Sequence, residues 1–270
     1  MTSQRLLAFG LKFYIVVFFA YLFLPLIIMS LATFNDSRFP TVTPWGGTTL
    51  RWFGELWHDG GMWHALSNSL MVAAGVLVLA VPIGISSALF LNTVSSRAKP
   101  FIYALILSPL LTPGVIIGIS TLIFWRQFGV SGGIFLTVLG QTTFIAAYVM
   151  LMVMARLQRF DRTMERAALD LGASQWQMFR RILLPYLKPA ILSAAVIAFL
   201  QSFENYNTTL FVAGYDTTLT VYIASQVRTG LTPAVNALGL ILILITVVLA
   251  VVYELKRRRE LANAQKAGAM

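Results

Sequence analysis

Four polar side chains near the end of an apolar stretch are the residues of this chain best suited to meet a solute: Gln201, Glu204, Asn205 and Thr208. They fall at i, i+3, i+4 and i+7, so a continuous helix would carry them on one stripe. An acidic side chain at membrane depth is costly unless it faces water or a partner. Glu204 is therefore a functional candidate by default, with Gln201 and Asn205 as neutral hydrogen-bonding neighbours. At ~1.5 Å per residue Glu204 lies about 24 Å beyond Lys188, near the outer edge, where simple solvation is the competing explanation. Other chemistry is thinly supplied. The absence of Cys excludes disulfides, thiolate metal sites and a Cys nucleophile. His58 and His64 have only Asp59 nearby and make a weak metal pair. No G-x-x-x-x-G-K-[ST] occurs, so the chain cannot cradle ATP phosphates itself.

The elements that must position these residues belong to a membrane. With 58% hydrophobic and 11% charged residues in 270, the chain is far from a soluble domain, in which about a quarter of residues are charged. Six apolar stretches approach or exceed the ~20 residues that a spanning helix needs. They cover about 13–34, 67–92, 101–125, 132–155, 183–205 and 233–254. No barrel alternation occurs, so the fold class expected is an all-α membrane protein with six transmembrane helices, a single domain over residues 1–270. The first stretch is too long for a signal peptide and no small-x-small site follows it, which predicts an uncleaved helix. With both termini in the cytoplasm, 16 of the Lys and Arg residues lie inside and 4 outside (Arg38, Arg51, Arg126 and Arg228). The positive-inside rule thus sets the orientation. It also explains the formal charge of +10 without nucleic acid.

Within the spans, Ser108-Pro109, Thr112-Pro113-Gly114, Pro82 and Gly84 mark breaks, tolerated where neighbouring helices or a cavity satisfy the freed backbone. They are candidate pathway walls, with ordinary kinking as the alternative. Ala190, Ala194, Ala198 and Ser202 recur every four residues, a small-residue face for close helix packing. The first outer loop, Asn35 to His64, carries Trp45, Trp52, Phe53, Trp57 and Trp63. It reads first as an aromatic belt at the membrane surface, and second as a docking surface for an external partner.

The inner loop at about 156–182 has the grammar helix, break, helix. Gly172 stands where a left-handed residue would end the first helix, and Ser174 with Gln177 forms a capping box for the second. Leu171, Trp176 and Phe179 lie between Arg and Lys residues, a pattern that suits docking knobs or an amphipathic hairpin lying on lipid head groups. The segment resembles the cytoplasmic loop of ABC-importer permeases: E-A-A, three residues, G, nine residues, I-x-L-P. Ala167-Ala168, Gly172, Ile182, Leu184 and Pro185 fall in register, while the family's Glu falls on Arg166 and Glu165 is displaced by one. The resemblance implies that Glu165, Arg166, Ala167, Ala168, Leu171, Gly172, Ala173, Trp176 and Phe179 dock onto a separate ATP-binding subunit.

Over nearly its whole length the chain is also similar to the second permease subunit of spermidine/putrescine importers. The shared features are S-L-A-T-F-N-D-S-R-F at Ser30 to Phe39, A-L-S-N-S-L at Ala65 to Leu70, and Val235-Asn236-Ala237-Leu238. Where those relatives carry S-F/M-D-D/E, this chain has Ser202-Phe203-Glu204-Asn205, so one acid is kept and the second is an amide. The resemblance implies a type I ABC-importer permease in the bacterial inner membrane. It also implies two ATP-binding subunits holding ATP and Mg, a second permease chain and an external solute-binding protein. This chain would then be non-catalytic, with no cofactor of its own. The solute expected is small and cationic or amino-containing, such as a polyamine; related systems import opines, aminoethylphosphonate and amino-acid-like compounds. A self-sufficient secondary transporter would need half-sequence repeats and buried ion-coupling acids, and neither is present. An intramembrane hydrolase would need His, paired Asp or a metal set within the spans, yet both His lie in the outer loop.

Overall fold

The computed structural model describes residues 2–229 and 233–268. It divides into two compact units, Met1–Gly60 with Ser225–Met270, and Gly61–Ala224. The only β-pairing among the described residues is a bridge between Asn35 and Thr48. Everything else regular is helical, as the apolar stretches lead one to expect.

In the first unit, α1 (Thr2–Ala32), α2 (Arg51–His58) and the long α12 (Ala234–Gly268) pack together. A Cβ on Gly239 would lie 2.8 Å from the end of Met29, so this glycine lets α12 approach α1 closely. The outer loop folds around Asn35, which is buried: its amide donates to Thr41 O and Pro44 O at 2.8 and 3.0 Å, and its Oδ1 accepts from Gly46 N. Trp52 is buried, with Nε1 donating to Asn35 O, whereas Trp45 and Trp57 are exposed. One buried amide thus ties residues 41, 44 and 46 of the loop to Asn35, as a buried polar side chain must be paired. The side chains of Arg5, Arg257, Arg259 and Lys266, counted above as inner charges, lie outside the described part.

The second unit holds α3 (Gly60–Thr93), α4 (Lys99–Leu111), α5 (Gly114–Arg126), α6 (Ile134–Leu157), α7 (Arg162–Asp170), α8 (Gln175–Met178), a π-helical turn (Phe179–Leu183), α9 (Leu184–Phe203) and α10 (Thr209–Val212), and most of α11 (Leu219–Thr229). Its core joins Val76 and Ala80 of α3, Ile145, Val149 and Val153 of α6, and Leu187, Ala194 and Ala198 of α9. The small-residue face is used as expected: Ala194, Ala198 and Ser202 are buried where α9 lies along α6. Gly84 serves packing, because a Cβ there would sit 2.6 Å from Val149. Helix α3 runs unbroken through Pro82, so Pro82 and Gly84 do not form the break expected of them.

Leu7–Ala32, Gly60–Thr93, Ile134–Leu157 and Gln175–Phe203 are each long and apolar enough to cross a membrane. The third apolar stretch is not one straight helix. It is α4 and α5, bent by 100° at Thr112–Pro113. Pro109 is carried inside α4 because the carbonyl it frees, Leu105 O, accepts from Ser108 Oγ at 2.8 Å. Pro113 is not carried: Pro109 O accepts instead from Thr112 N, and Thr112 Oγ1 takes up Ser108 O. The last apolar stretch extends over Ala234–Val248 among the described residues.

Candidate functional site

Two sites stand at opposite ends of α9. The first is the hairpin. Asp161 caps α7 by accepting from Thr163 N at 2.9 Å. That bond favours the carboxylate and holds the Asp161 carboxyl below its ordinary value. Gly172 has φ +82°, and the amides of Gly172 and Ala173 donate to Leu169 O and Ala168 O at 2.9 and 3.0 Å. This is a Schellman closure, which requires the left-handed residue predicted there. Ser174 and Gln177 make both bonds of the capping box, at 3.2 and 2.8 Å.

The knobs divide by exposure. Leu171 and Trp176 are 89% and 65% exposed, and Arg166 and Ala167 are also exposed. Glu165, Ala168, Ala173 and Phe179 are half-buried. Phe179 stacks on Trp176, with ring centroids 5.6 Å apart, and also touches the core. Met178, which carried no signal in the sequence, is buried in that core. The hairpin is thus bolted to the unit by Met178, Ala168 and Ile182 while presenting Leu171 and Trp176 outward. Arg162 adds a tether, donating to the backbone and side-chain oxygens of Asn92 at 3.2 Å. A cation at the carboxyl end of α3 is favoured by that helix's free carbonyls.

The second site is a cavity of about 170 Å³ at the α4–α5 break. Thr112 and Gly114 line it at the break, Phe144 and Tyr148 from α6, and Gln201, Asn205, Asn207 and Thr208 from the end of α9 and the turn beyond. Three of the four stripe residues therefore come together there, but not along one helix. Helix α9 stops at Phe203, with Glu204 as its C-cap. The reason is Asn205, whose Oδ1 accepts from Thr208 N, Thr209 N and Thr209 Oγ1 at 3.1–3.3 Å and so starts α10. Asn side chains compete for backbone amides in this way. Glu204 is exposed and does not line the cavity. No charged side chain does.

Behind the wall, buried Gln141 donates to Thr209 Oγ1 at 2.8 Å and accepts from Ser202 Oγ. This fixes the turn against α6. Thr208 is 0% exposed and nested among glycines. A Cβ on Gly114 would meet its Oγ1 at 3.0 Å, one on Gly118 its carbonyl at 2.6 Å, and one on Gly140 its methyl at 3.2 Å. The sequence pointed to Thr112-Pro113-Gly114 as a wall. Phe144, Tyr148 and Asn207 carried no such signal, because nothing in their spacing separates a cavity face from a packing face.

Neither His joins a metal site: Nδ1 of His58 lies 2.7 Å from Gly54 O, and Nδ1 of His64 lies 3.3 Å from the Asn68 amide. Among the described residues no three His, Asp or Glu gather as metal ligands.

Residues 80–260 match the family of binding-protein-dependent transport system inner membrane components. The chain belongs to this family. It is a multi-pass inner-membrane protein with the fold of a type I ABC-importer permease. Its relatives are transport permease subunits rather than enzymes. The chain is 33% identical over 242 residues to the spermidine/putrescine transport system permease protein PotC of Escherichia coli, covering 89% of this chain and 90% of that protein. It is 34% identical over 233 residues to the putrescine transport system permease protein PotI of Escherichia coli, covering 83% and 82%. A solved bacterial ABC transporter that imports alginate shares its fold, with a TM-score of 0.69 at 14% identity over 96% of this chain and 98% of that one.

Proposed function

We propose that this permease takes up a small amino-bearing solute, driven by a separate ATP-binding subunit docked on the 162–178 hairpin. The amino-bearing class includes the spermidine and putrescine of its relatives' names, as well as opines, aminoethylphosphonate and amino-acid-like compounds. The observation that carries the reading is the unbroken helical run from Gln175 to Phe203. Its one end is the docking turn with Trp176; its other end is Gln201 at the cavity. A rod of that length moves its far end when its near end is pushed.

ATP and Mg belong to the partner, present in two copies, because this chain has no phosphate-binding loop. Closure of that partner pushes Leu171 and Trp176, rocks α9 against α6 and opens the cavity outward; hydrolysis resets it. A second permease chain completes the pathway, and an external binding protein delivers the solute on the side opposite the hairpin. Both termini face the cytoplasm with the hairpin, as the 16 inner and 4 outer Lys and Arg residues favour. Glu204, exposed and one residue from cavity-lining Asn205, acts at the approach, where a carboxylate raises the local concentration of cations.

The cognate binding protein tests the solute class. Only true ligands raise its melting temperature by mass action. An amino-bearing compound should do so, and stabilisation by neutral sugars alone would remove the reading.

A further inference from the structure

A second pocket, of about 360 Å³, opens where the turn after α5 leads into α6. It is lined by Leu122, Arg126, Gly129, Val130, Ser131 and Gly132. Helix α6 fixes its depth in the membrane. At ~1.5 Å per residue the 24 residues of that helix reach about 36 Å, more than the ~30 Å of hydrocarbon in a bilayer. The far end of α6 carries Arg156 and leads to the charged hairpin. The residues just before Ile134 therefore stand at the level of the opposite lipid head groups.

The pocket holds an unanswered positive charge. Arg126 is exposed, and its side chain has no ion pair or hydrogen bond among the described residues. No carboxylate lines the pocket. Asp216, beside Gly133, accepts from Ile134 N at 3.3 Å and makes no ion pair with Arg126. The same turn has further donors to spare: the hydroxyl and amide of Ser131 and the amide of Gly132 have no partner among the described residues. A guanidinium among free N–H groups, with no acid nearby, selects an anion with several oxygens, and Arg suits phosphate above all.

The surroundings say which phosphate. Phe124, Trp125, Phe128 and Phe135 form one connected ring cluster, with centroids 5.3–6.1 Å apart. Phe124, Phe128 and Phe135 are exposed. Exposed rings at head-group level rest against lipid, and a free anion in water would gain nothing from them. We propose that the pocket at the α5–α6 turn seats the phosphate of a membrane phospholipid. Arg126 supplies the counter-charge, and Phe124 and Phe128 meet the glycerol and upper acyl carbons. A lipid seated there steadies the turn whose Gly133 amide donates to Val212 O at 2.8 Å, and so ties the start of α6 to α10.

The test uses the whole importer purified in detergent, titrated with phosphatidylglycerol and followed by native mass spectrometry. One lipid per copy of this chain should be retained more tightly than the rest. Arg126→Gln should weaken that lipid about tenfold or more, the effect of losing one hydrogen bond to a charged group. Arg126→Lys should fall between the two, keeping the charge without the fork of donors. Yield and lipid-free melting temperature should match the parent in both variants, since Arg126 has no protein partner to lose. Inorganic phosphate at millimolar concentration should not displace the lipid; displacement would make the pocket a free-anion site and overturn the lipid seat. Unchanged lipid retention by Arg126→Gln would overturn it as well, and if that variant instead loosens the external binding protein, the cation serves that partner.

Discussion

Replacing Gly172 isolates the joint of the docking hairpin. A Cβ at this position meets nothing within 4 Å, so the effect of substitution lies in the backbone, where φ is +82°. An L-residue in the left-handed region costs about 1–2 kcal/mol, which is about tenfold in the population of the closed turn. A β-branched residue is worse, up to about 3 kcal/mol. If φ becomes negative, the amides of Gly172 and Ala173 lose Leu169 O and Ala168 O. The angle between α7 and α8 then changes, and with it the offset between Leu171 and Trp176. Gly172→Asn should transport nearly normally, because Asn tolerates the left-handed region. Gly172→Ala should be impaired, and Gly172→Val should insert and purify normally but lose ATP-driven uptake. Uptake is measured in proteoliposomes loaded with ATP, with yield and helix content as controls. Normal uptake by Gly172→Val at normal yield would refute the role given to the hairpin.

Trp176→Ala combined with Phe179→Ala should release the ATP-binding subunit from detergent-purified complex, since aromatic anchors in desolvated pockets each contribute about 2 kcal/mol or more; unaffected co-purification would return the hairpin to the lipid surface. Asp161 has a carboxyl held below 3.8 by its bond to Thr163, so its capping is complete above that pH and is lost as pH falls through the lowered folded value. Protection of the Thr163 amide, taken relative to its intrinsic exchange rate at each pH, should therefore drop as pH falls through that lowered value in the parent chain, and be low at every pH in Asp161→Ala. Glu204→Gln should slow uptake at low ionic strength and converge on the parent as salt screens the approach; identical rates at all salt concentrations would make Glu204 simply solvated.

The hairpin was the most legible part of the molecule. Glycine at a C′ position and a Ser-x-x-Gln box are local signals, and local hydrogen bonds decide their outcome. Four of the six expected spans were legible for a similar reason, because apolar length is a property of one segment. The cavity was legible only in pieces. Pro109 and Pro113 look alike in sequence, yet Ser108 Oγ occupies the carbonyl freed by the first while the second turns the chain through 100°. The i, i+7 stripe assumed a helix that Asn205 ends by capping the next one, so the stripe's residues reach the cavity by way of a turn. Glu204 was left outside by the same break. Met178 depends on the core that α3, α6 and α9 build around it, and Tyr148 on the cavity it shares with the α4–α5 break and the turn after α9, neither of which any single segment contains.

Reconstitution tests the central claim most directly. The chain is placed in liposomes with the second permease, the ATP-binding subunit and the binding protein, and solute uptake is followed with ATP on the hairpin side only. Uptake should require all four components and that ATP, and should vanish with Gly172→Val while the complex remains assembled. Uptake by this chain alone, driven by an ion gradient without ATP, would contradict the account.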